Sequence, residues 1–332
     1  MSEPRVLVVG HGLIGRQRAQ AVLEHGATLA GTVDPVAPGR PDAPHFAAVA
    51  DVPAGDYDAA IVALPHDVAV AAAHTILRGG RPVLIEKPLG LRAQQAQRLV
   101  AAAATLGAPS FVGYNYRFLP GIRAILDAAA QGRLGTLRTI DLLIGHGGHP
   151  GSADGWKLQP DRAGGGVVLD PGVHLLDLLL LLEPRLALEH AAATRGFWKT
   201  GIEEDVVLTF AHERLIATVR VSHVRWVNTL RVEVVGEDGY GIAEGRGGNY
   251  GDQTLRLGRR WAWAQPGAPG QRDTEERRDF GPGNASLTDE VGAVLARWRG
   301  APPAPGPAPA TFRQALAVTA LVDAVYDRIG RA

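Results

Sequence analysis

The sequence predicts an α/β domain built on a parallel sheet, followed by an α+β domain with a largely antiparallel open sheet. Three observations carry this. Short apolar runs alternate with longer helical segments as far as about residue 118. A glycine pattern, Gly10-x-Gly12-x-x-Gly15, joins the first apolar run directly to the first helical segment. Beyond residue 185, alternating segments follow one another through short turns. The expected domains are residues 1–118 and 119–332, and a chain of 332 residues is long enough for each to bury its own core.

The first domain takes its elements in order. Strands are expected at 5–9, 28–33, 59–64, 82–85 and 109–113, with helices at about 13–25, 67–79 and 92–106. Such alternation gives a parallel sheet covered on both faces, with ligands at the carboxyl ends of its strands. Residues 35–56 hold several prolines and little periodicity, and read as a loop with at most one weak helix. At the first strand end, Gly10 permits the tight turn, Gly12 a close backbone approach to a pyrophosphate, and Gly15 the packing of helix on strand. Leu13 and Ile14 open the helix whose N–H groups face the phosphates. Asp34 ends the second strand about 20 residues after Gly15, where a carboxylate accepts hydrogen bonds from the adenosine ribose and repels a 2′-phosphate. NAD is therefore expected over NADP. Leu64, Pro65 and His66 end the third strand on the nicotinamide side, where His66 reads equally well as an N-cap neighbour of the next helix. Glu86, Lys87 and Pro88 end the fourth; charged groups closing a buried strand beside a ligand crevice call for a chemical reason.

Composition sharpens that reading. The 34 basic and 34 acidic residues cancel, which leaves no broad electrostatic handle for nucleic acid and points to a small-molecule partner. Cysteine is absent, which excludes disulfides, a thiolate nucleophile and a cysteine-ligated zinc site. Only Lys87, Lys157 and Lys199 are lysine among those 34 basic residues, and lysine, unlike arginine, can lose its proton on burial. With the first strand starting near residue 5, no signal peptide is expected ahead of it and the expected location is the cytoplasm. The most apolar stretch, Leu175 to Leu182, falls far short of the ~20 residues of a membrane span.

Gly10-x-Gly12-x-x-Gly15, Glu86-Lys87-Pro88 and Gly113-Tyr114-Asn115-Tyr116-Arg117-Phe118, in this order, resemble the glucose-fructose oxidoreductase, inositol dehydrogenase and rhizopine-catabolism (Gfo/Idh/MocA) family. The resemblance implies a Rossmann domain that binds a nicotinamide dinucleotide, a lysine, here Lys87, at the reacting oxygen, and often a cis Lys–Pro bond. One departure is visible. The family's usual Thr-Pro-Asn-x-x-His loop stands here as Leu64-Pro65-His66-Asp67-Val68-Ala69, without the Thr, the Asn or the later His.

The second domain opens with a helix over 121–132 and a strand over 135–145. His146 and His149 follow in a glycine-rich loop and read as substrate-facing or solvated side chains in preference to metal ligands. Then comes Gly164-Gly165-Gly166-Val-Val-Leu-Asp170-Pro-Gly-Val-His174-Leu-Leu-Asp177. Asp170 and His174 are four apart and, in a helix, share a face, where a carboxylate can orient an imidazole that acts as a general base. The plainer alternative makes Asp170 an N-cap and His174 a core side chain; a metal site from Asp170, His174 and Asp177 is the other alternative, and no further cluster completes it. The family resemblance extends here, implying Lys87, Asp170 and His174 as the catalytic set, with Trp156 and Lys157 near substrate. Arg117, His146, Trp156, Lys157 and Arg162 are the expected substrate-wall residues, and no metal is expected. Strands are expected at 206–210, 215–223, 229–236, 240–243 and 254–257, then helices at about 286–299 and 310–329 around a proline-rich linker. An open sheet face carrying Trp226, Trp261 and Trp263 suits a homodimer or homotetramer.

The function expected from these residues is an NAD-dependent oxidoreductase acting on a secondary alcohol or ketone of a sugar, polyol or sugar derivative. Two alternatives use the same fold: glycoside cleavage through a transient oxidation with no net redox change, and a non-catalytic NAD-binding sensor.

Overall fold

The structure is a computed structural model that describes residues 3–148, 155–260, 275–302 and 306–331. His149, Trp261 and Trp263 lie outside the described residues. The chain divides into two compact units: residues 1–115, 161–164 and 285–323, and residues 116–160, 165–284 and 324–332.

In the first unit, β1 (Arg5–Val9), α1 (Leu13–Glu24), β2 (Thr28–Val33), β3 (His45–Phe46), β4 (Ala59–Val62), α2 (His66–Arg78), β5 (Val83–Glu86), α3 (Ala93–Ala103) and β6 (Phe111–Gly113) alternate as expected. β1, β4 and β5 are buried almost throughout, which suits strands covered on both faces. β1 lies between β2 and β4, parallel to both, so the strand order reverses there. That reversal places a ligand crevice at the ends of β1 and β4, where Gly10 and Leu64 lie. The loop 35–56 contains the short β3, parallel to β2, and a 3-10 turn at Val49–Asp51.

In the second unit, α4 (Pro120–Ala130) is followed by β7 (Leu137–Gly145). In the four-residue α5 (Pro160–Ala163) all but Pro160 belong to the first unit, and the chain is back in the second from Gly165 onward, ahead of α6 (Val173–Leu182). There follow β8 (Ala187–Thr194), β9 (Asp205–His212), β10 (Leu215–Ser222), β11 (Thr229–Gly236), β12 (Gly239–Glu244), β13 (Gln253–Arg259) and β14 (Glu275–Gly281). Among the described residues they form one sheet in the order β14-β13-β12-β11-β7-β10-β9-β8. It is antiparallel except where β7 runs parallel to β10. Side chains alternate along it: Ile140, Leu142 and Ile144 of β7 and Ala217, Val219 and Val221 of β10 are buried, whereas Ile216 and Arg220 are exposed. Among the described residues the exposed face is mixed. Val207 and Ile216 share it with the ion pairs Arg220–Asp205 and Arg231–Glu233, and Trp226 sits in the β10–β11 connection, its ring 5.6 Å from Phe197.

The chain then re-enters the first unit with α7 (Ser286–Trp298), β15 (Ala310–Thr311), which pairs antiparallel with β6, and most of α8 (Phe312–Ile329). Sequence order alone had assigned 285–323 to the second domain. The physical reason for the difference is apolar: Val291, Val294 and Leu295 of α7 join one buried cluster with Val6, Val8, Ala19 and Val22, each large side chain contributing roughly 1.5–3 kcal/mol. By length and composition, Pro160–Leu182 would pass as a membrane-crossing helix, yet 72% of its apolar window is buried and Asp170 interrupts it at φ −148°, ψ 104°, so it serves as core.

Candidate active site

The dinucleotide corner is built by backbone. Gly10, at φ +90°, turns the chain, and a Cβ there would lie 2.3 Å from the Ala63 carbonyl oxygen. A Cβ on Gly15 would lie 1.8 Å from the Gly10 carbonyl oxygen. Those two glycines are therefore required by packing. Gly12 is different: a Cβ there meets nothing within 4 Å, so no protein contact accounts for it. It is also the N-cap of α1 and offers no side chain to the helix's first N–H groups. A bare helix N-terminus beside a glycine open to its surroundings fits a pyrophosphate. Leu13 and Ile14 are exposed on the first turn, and Leu64 packs over Gly10.

Asp34 is held in place at the end of β2. Its Oδ2 accepts the His11 N–H at 2.8 Å, and its Oδ1 accepts those of Val36 at 2.9 Å and Ala37 at 2.8 Å. Burial pushes the carboxyl up, but the backbone donors from Ala37, His11 and Val36 outweigh it and hold the group below the ordinary aspartate range. Each carboxylate oxygen retains acceptor capacity beyond these backbone bonds. The His66 ring, 7% exposed, hydrogen-bonds the Ala163 carbonyl at 3.1 Å, and Pro65 is the N-cap residue of α2.

Glu86 ends β5, Lys87 follows it directly, and the Lys87–Pro88 bond is cis. Glu86 Oε1 accepts Arg18 Nε at 2.8 Å and Nη2 at 2.6 Å, and Arg18 Nη2 also meets Glu290 at 2.7 Å. Arg18, 1% exposed on α1, and Glu290, fully buried on α7, clamp the strand end that carries Lys87. Neither was singled out from sequence, because the three residues are far apart in the chain.

In the second unit, His174 is the second residue of α6 and is 5% exposed. Its ring stacks on Tyr116 with centroids 4.0 Å apart and planes 8° from parallel. The Tyr116 hydroxyl accepts Arg246 Nη1 at 2.9 Å, and the Arg246 guanidinium lies 4.0 Å from the centre of the Tyr250 ring. Burial holds the Tyr116 phenol above the ordinary tyrosine range, with Arg246 opposing the shift. Asp170 corrects the helical expectation. It is extended, it precedes a cis Pro171, and its carboxylate meets the Lys157 ammonium at 2.6 Å. Spacing of four therefore does not put Asp170 and His174 on one helical face.

Arg117 is also corrected as a substrate-wall residue. It is 2% exposed, and its Nε and Nη2 meet the two oxygens of Asp177 at 2.7 and 2.5 Å, forming a core pair that occupies both side chains. The same pairing accounts for Asp177, the third member of the metal alternative. His146 accepts the Gly148 N–H at 3.0 Å and lies 4.3 Å from the His223 ring. Trp156 and Lys157 form a 3-10 turn, with Lys157 exposed. Arg162 belongs to the first unit and pairs with Asp67 at 3.5 Å.

Residues 4–114 match the NAD-binding Rossmann fold of the oxidoreductase family, and residues 122–241 match the GFO/IDH/MocA C-terminal domain. The chain belongs to the Gfo/Idh/MocA family. It is 34% identical over 158 residues to 1,5-anhydro-D-fructose reductase of Ensifer adhaerens, covering 46% of each chain. To the rhizopine catabolism protein MocA of Rhizobium meliloti it is 28% identical over 189 residues, covering 53% of this chain and 56% of that one. The chain thus spans about half the length of these curated relatives. Among solved structures it is similar in fold to the WlbA dehydrogenase from Bordetella pertussis in complex with NADH and UDP-GlcNAcA, with TM-score 0.77 and 20% identity over 98% of this chain and 96% of that chain. A mutant of KijD10, a 3-ketoreductase from Actinomadura kijaniata in complex with TDP-benzene and NADP, gives TM-score 0.77 and 20% identity over 99% of this chain and 98% of that chain.

Proposed function

We propose that this protein is an NAD-dependent oxidoreductase that interconverts a secondary alcohol and a ketone on a sugar, polyol or sugar derivative. The observation that carries the reading is the seating of His174: a nearly buried imidazole fixed face to face on Tyr116, on a helix entered through the Asp170–Lys157 ion pair. An immobilised imidazole suits a proton acceptor, because its lone pair needs no search for the hydroxyl. In the oxidative direction His174 takes the hydroxyl proton and returns it in the reductive one. Lys87, as the family resemblance implies, stabilises the charge that develops on a reacting oxygen. Asp170 contributes negative charge and holds Lys157, which leaves the lysine ammonium placed to bind substrate hydroxyl or acidic groups. A nicotinamide held by the Rossmann domain would supply the hydride acceptor or donor.

Gly10, Gly12, Gly15 and the first turn of α1 would hold the pyrophosphate, and Asp34 the adenosine ribose. The Asp34 carboxylate, kept ionised by three backbone donors, supports NAD over NADP by repelling a 2′-phosphate. The test is a screen of polyols, hexoses and nucleotide-linked sugars with each cofactor, following reduced nicotinamide. Turnover with NAD and one mole of NADH per mole of sugar oxidised is the expected result. Sugar consumed without net NADH would replace the reading with transient oxidation, and a blank screen in both directions with bound NAD would leave a sensor.

A further inference from the structure

Three features that this chemistry leaves unused lie together beneath the turn that carries Asp170. Glu203, just ahead of β9, is fully buried. Its Oε1 accepts the backbone N–H of Gly166 at 2.9 Å, that of Val168 at 3.2 Å, and the Tyr326 hydroxyl at 2.6 Å. The glycine run explains itself against the same groups. A Cβ on Gly165 would lie 2.0 Å from the Tyr326 hydroxyl oxygen, and one on Gly166 would lie 2.1 Å from the Glu203 carbonyl oxygen. The chain closes on itself here: Val167 N–H donates to the Glu203 carbonyl at 3.1 Å, and Asp170 N–H donates to the Gly166 carbonyl at 3.0 Å. Asp170 therefore hangs from the peptide that Glu203 holds. Burial and the adjacent carboxylate push the Tyr326 phenol far up, so it is the donor in that bond.

A buried carboxylate is costly wherever an apolar side chain would fill the space, so its use at this turn calls for a purpose beyond packing. We infer that Glu203 is a positioning residue for the reaction, which together with Tyr326 fixes the Gly165–Gly172 turn and so sets where Asp170 and its partner Lys157 stand at the entry to the helix that carries His174. The inference rests on the oxidoreductase reading above. A carboxyl held through three donors on one oxygen acts by geometry, so an amide oxygen at the same place should serve.

The experiment compares Glu203→Ala, Glu203→Gln and Tyr326→Phe in the full chain, using whichever sugar in the screen yields NADH with the unaltered protein. Measured for each are kcat, KM, NAD affinity and melting temperature. A displaced turn predicts kcat lower by on the order of a hundredfold in Glu203→Ala and about tenfold in Tyr326→Phe, with NAD affinity within about twofold and most of kcat recovered in Glu203→Gln. Should Glu203→Ala fail to fold, Tyr326→Phe and Glu203→Gln still carry the comparison. Folded Tyr326→Phe with unchanged kcat, or Glu203→Gln no better than Tyr326→Phe, overturns the inference and leaves the oxidoreductase reading standing. Absence of turnover in the unaltered protein overturns the reading, and the inference falls with it.

Discussion

Gly12 differs from the two glycines that flank it, because its missing Cβ serves no contact within the protein. Gly12→Val should therefore leave the melting temperature nearly unchanged while weakening NAD binding, whereas Gly15→Ala should impair folding itself. Isothermal titration beside a thermal melt checks both, and unchanged NAD affinity in Gly12→Val would remove the fingerprint from the account. Asp34 makes a separate prediction through its lowered pKa. A carboxyl depressed in the folded state contributes stability that is present above its unfolded value and is lost as pH falls through the folded one. Acid titration of stability should thus lose a contribution below the ordinary aspartate range, and Asp34→Asn should flatten that limb. These residues were legible because their meaning is local: a glycine at a strand end, an acid at the next. Tyr116, Arg246 and Glu203 were not, since each acts on a group distant in sequence. The acidic run Glu203-Glu204-Asp205 at the head of an apolar strand was the one signal of that kind.

At the scale of elements, the turn 168–172 and the helix that follows it carry most of what pattern reading missed. The apolar stretch Leu175 to Leu182 marks most of α6 but not the extended Asp170 ahead of it, because a break of one residue hardly alters an apolar pattern. Edge strands were missed for a related reason: β14 is Glu-Glu-Arg-Arg-Asp-Phe-Gly, with no alternating apolar face to reveal it, and β15 is only two residues long. Arg117 and Asp177 tie the Asn115–Phe118 turn to α6 with both side chains 2% exposed. Removing one partner leaves a buried charge, so Arg117→Ala should cost about 3–5 kcal/mol in a denaturant titration. Pairing Arg117→Met with Asp177→Leu should recover most of that loss; a single variant with unchanged midpoint would show that the pair is not the anchor proposed here.

The whole molecule is discontinuous in sequence, which alternation along the chain does not reveal. Strand and helix signals identify elements, whereas the unit an element joins depends on the surface it covers, and α7 covers α1. A fragment of residues 1–118 lacks Val291, Val294 and Leu295, and leaves Arg18 without Glu290. It should show no cooperative unfolding by circular dichroism, while the full chain does; a cooperative transition in the fragment would mean that α7 is dispensable to that core. Turnover of His174→Ala and Lys87→Ala on whichever screened substrate the unaltered protein converts, with NAD affinity measured in parallel, decides whether these two side chains carry the proposed reaction. The expected result is kcat lower by about a hundredfold or more in each, with NAD still bound by His174→Ala. Turnover left essentially intact in either variant would contradict it.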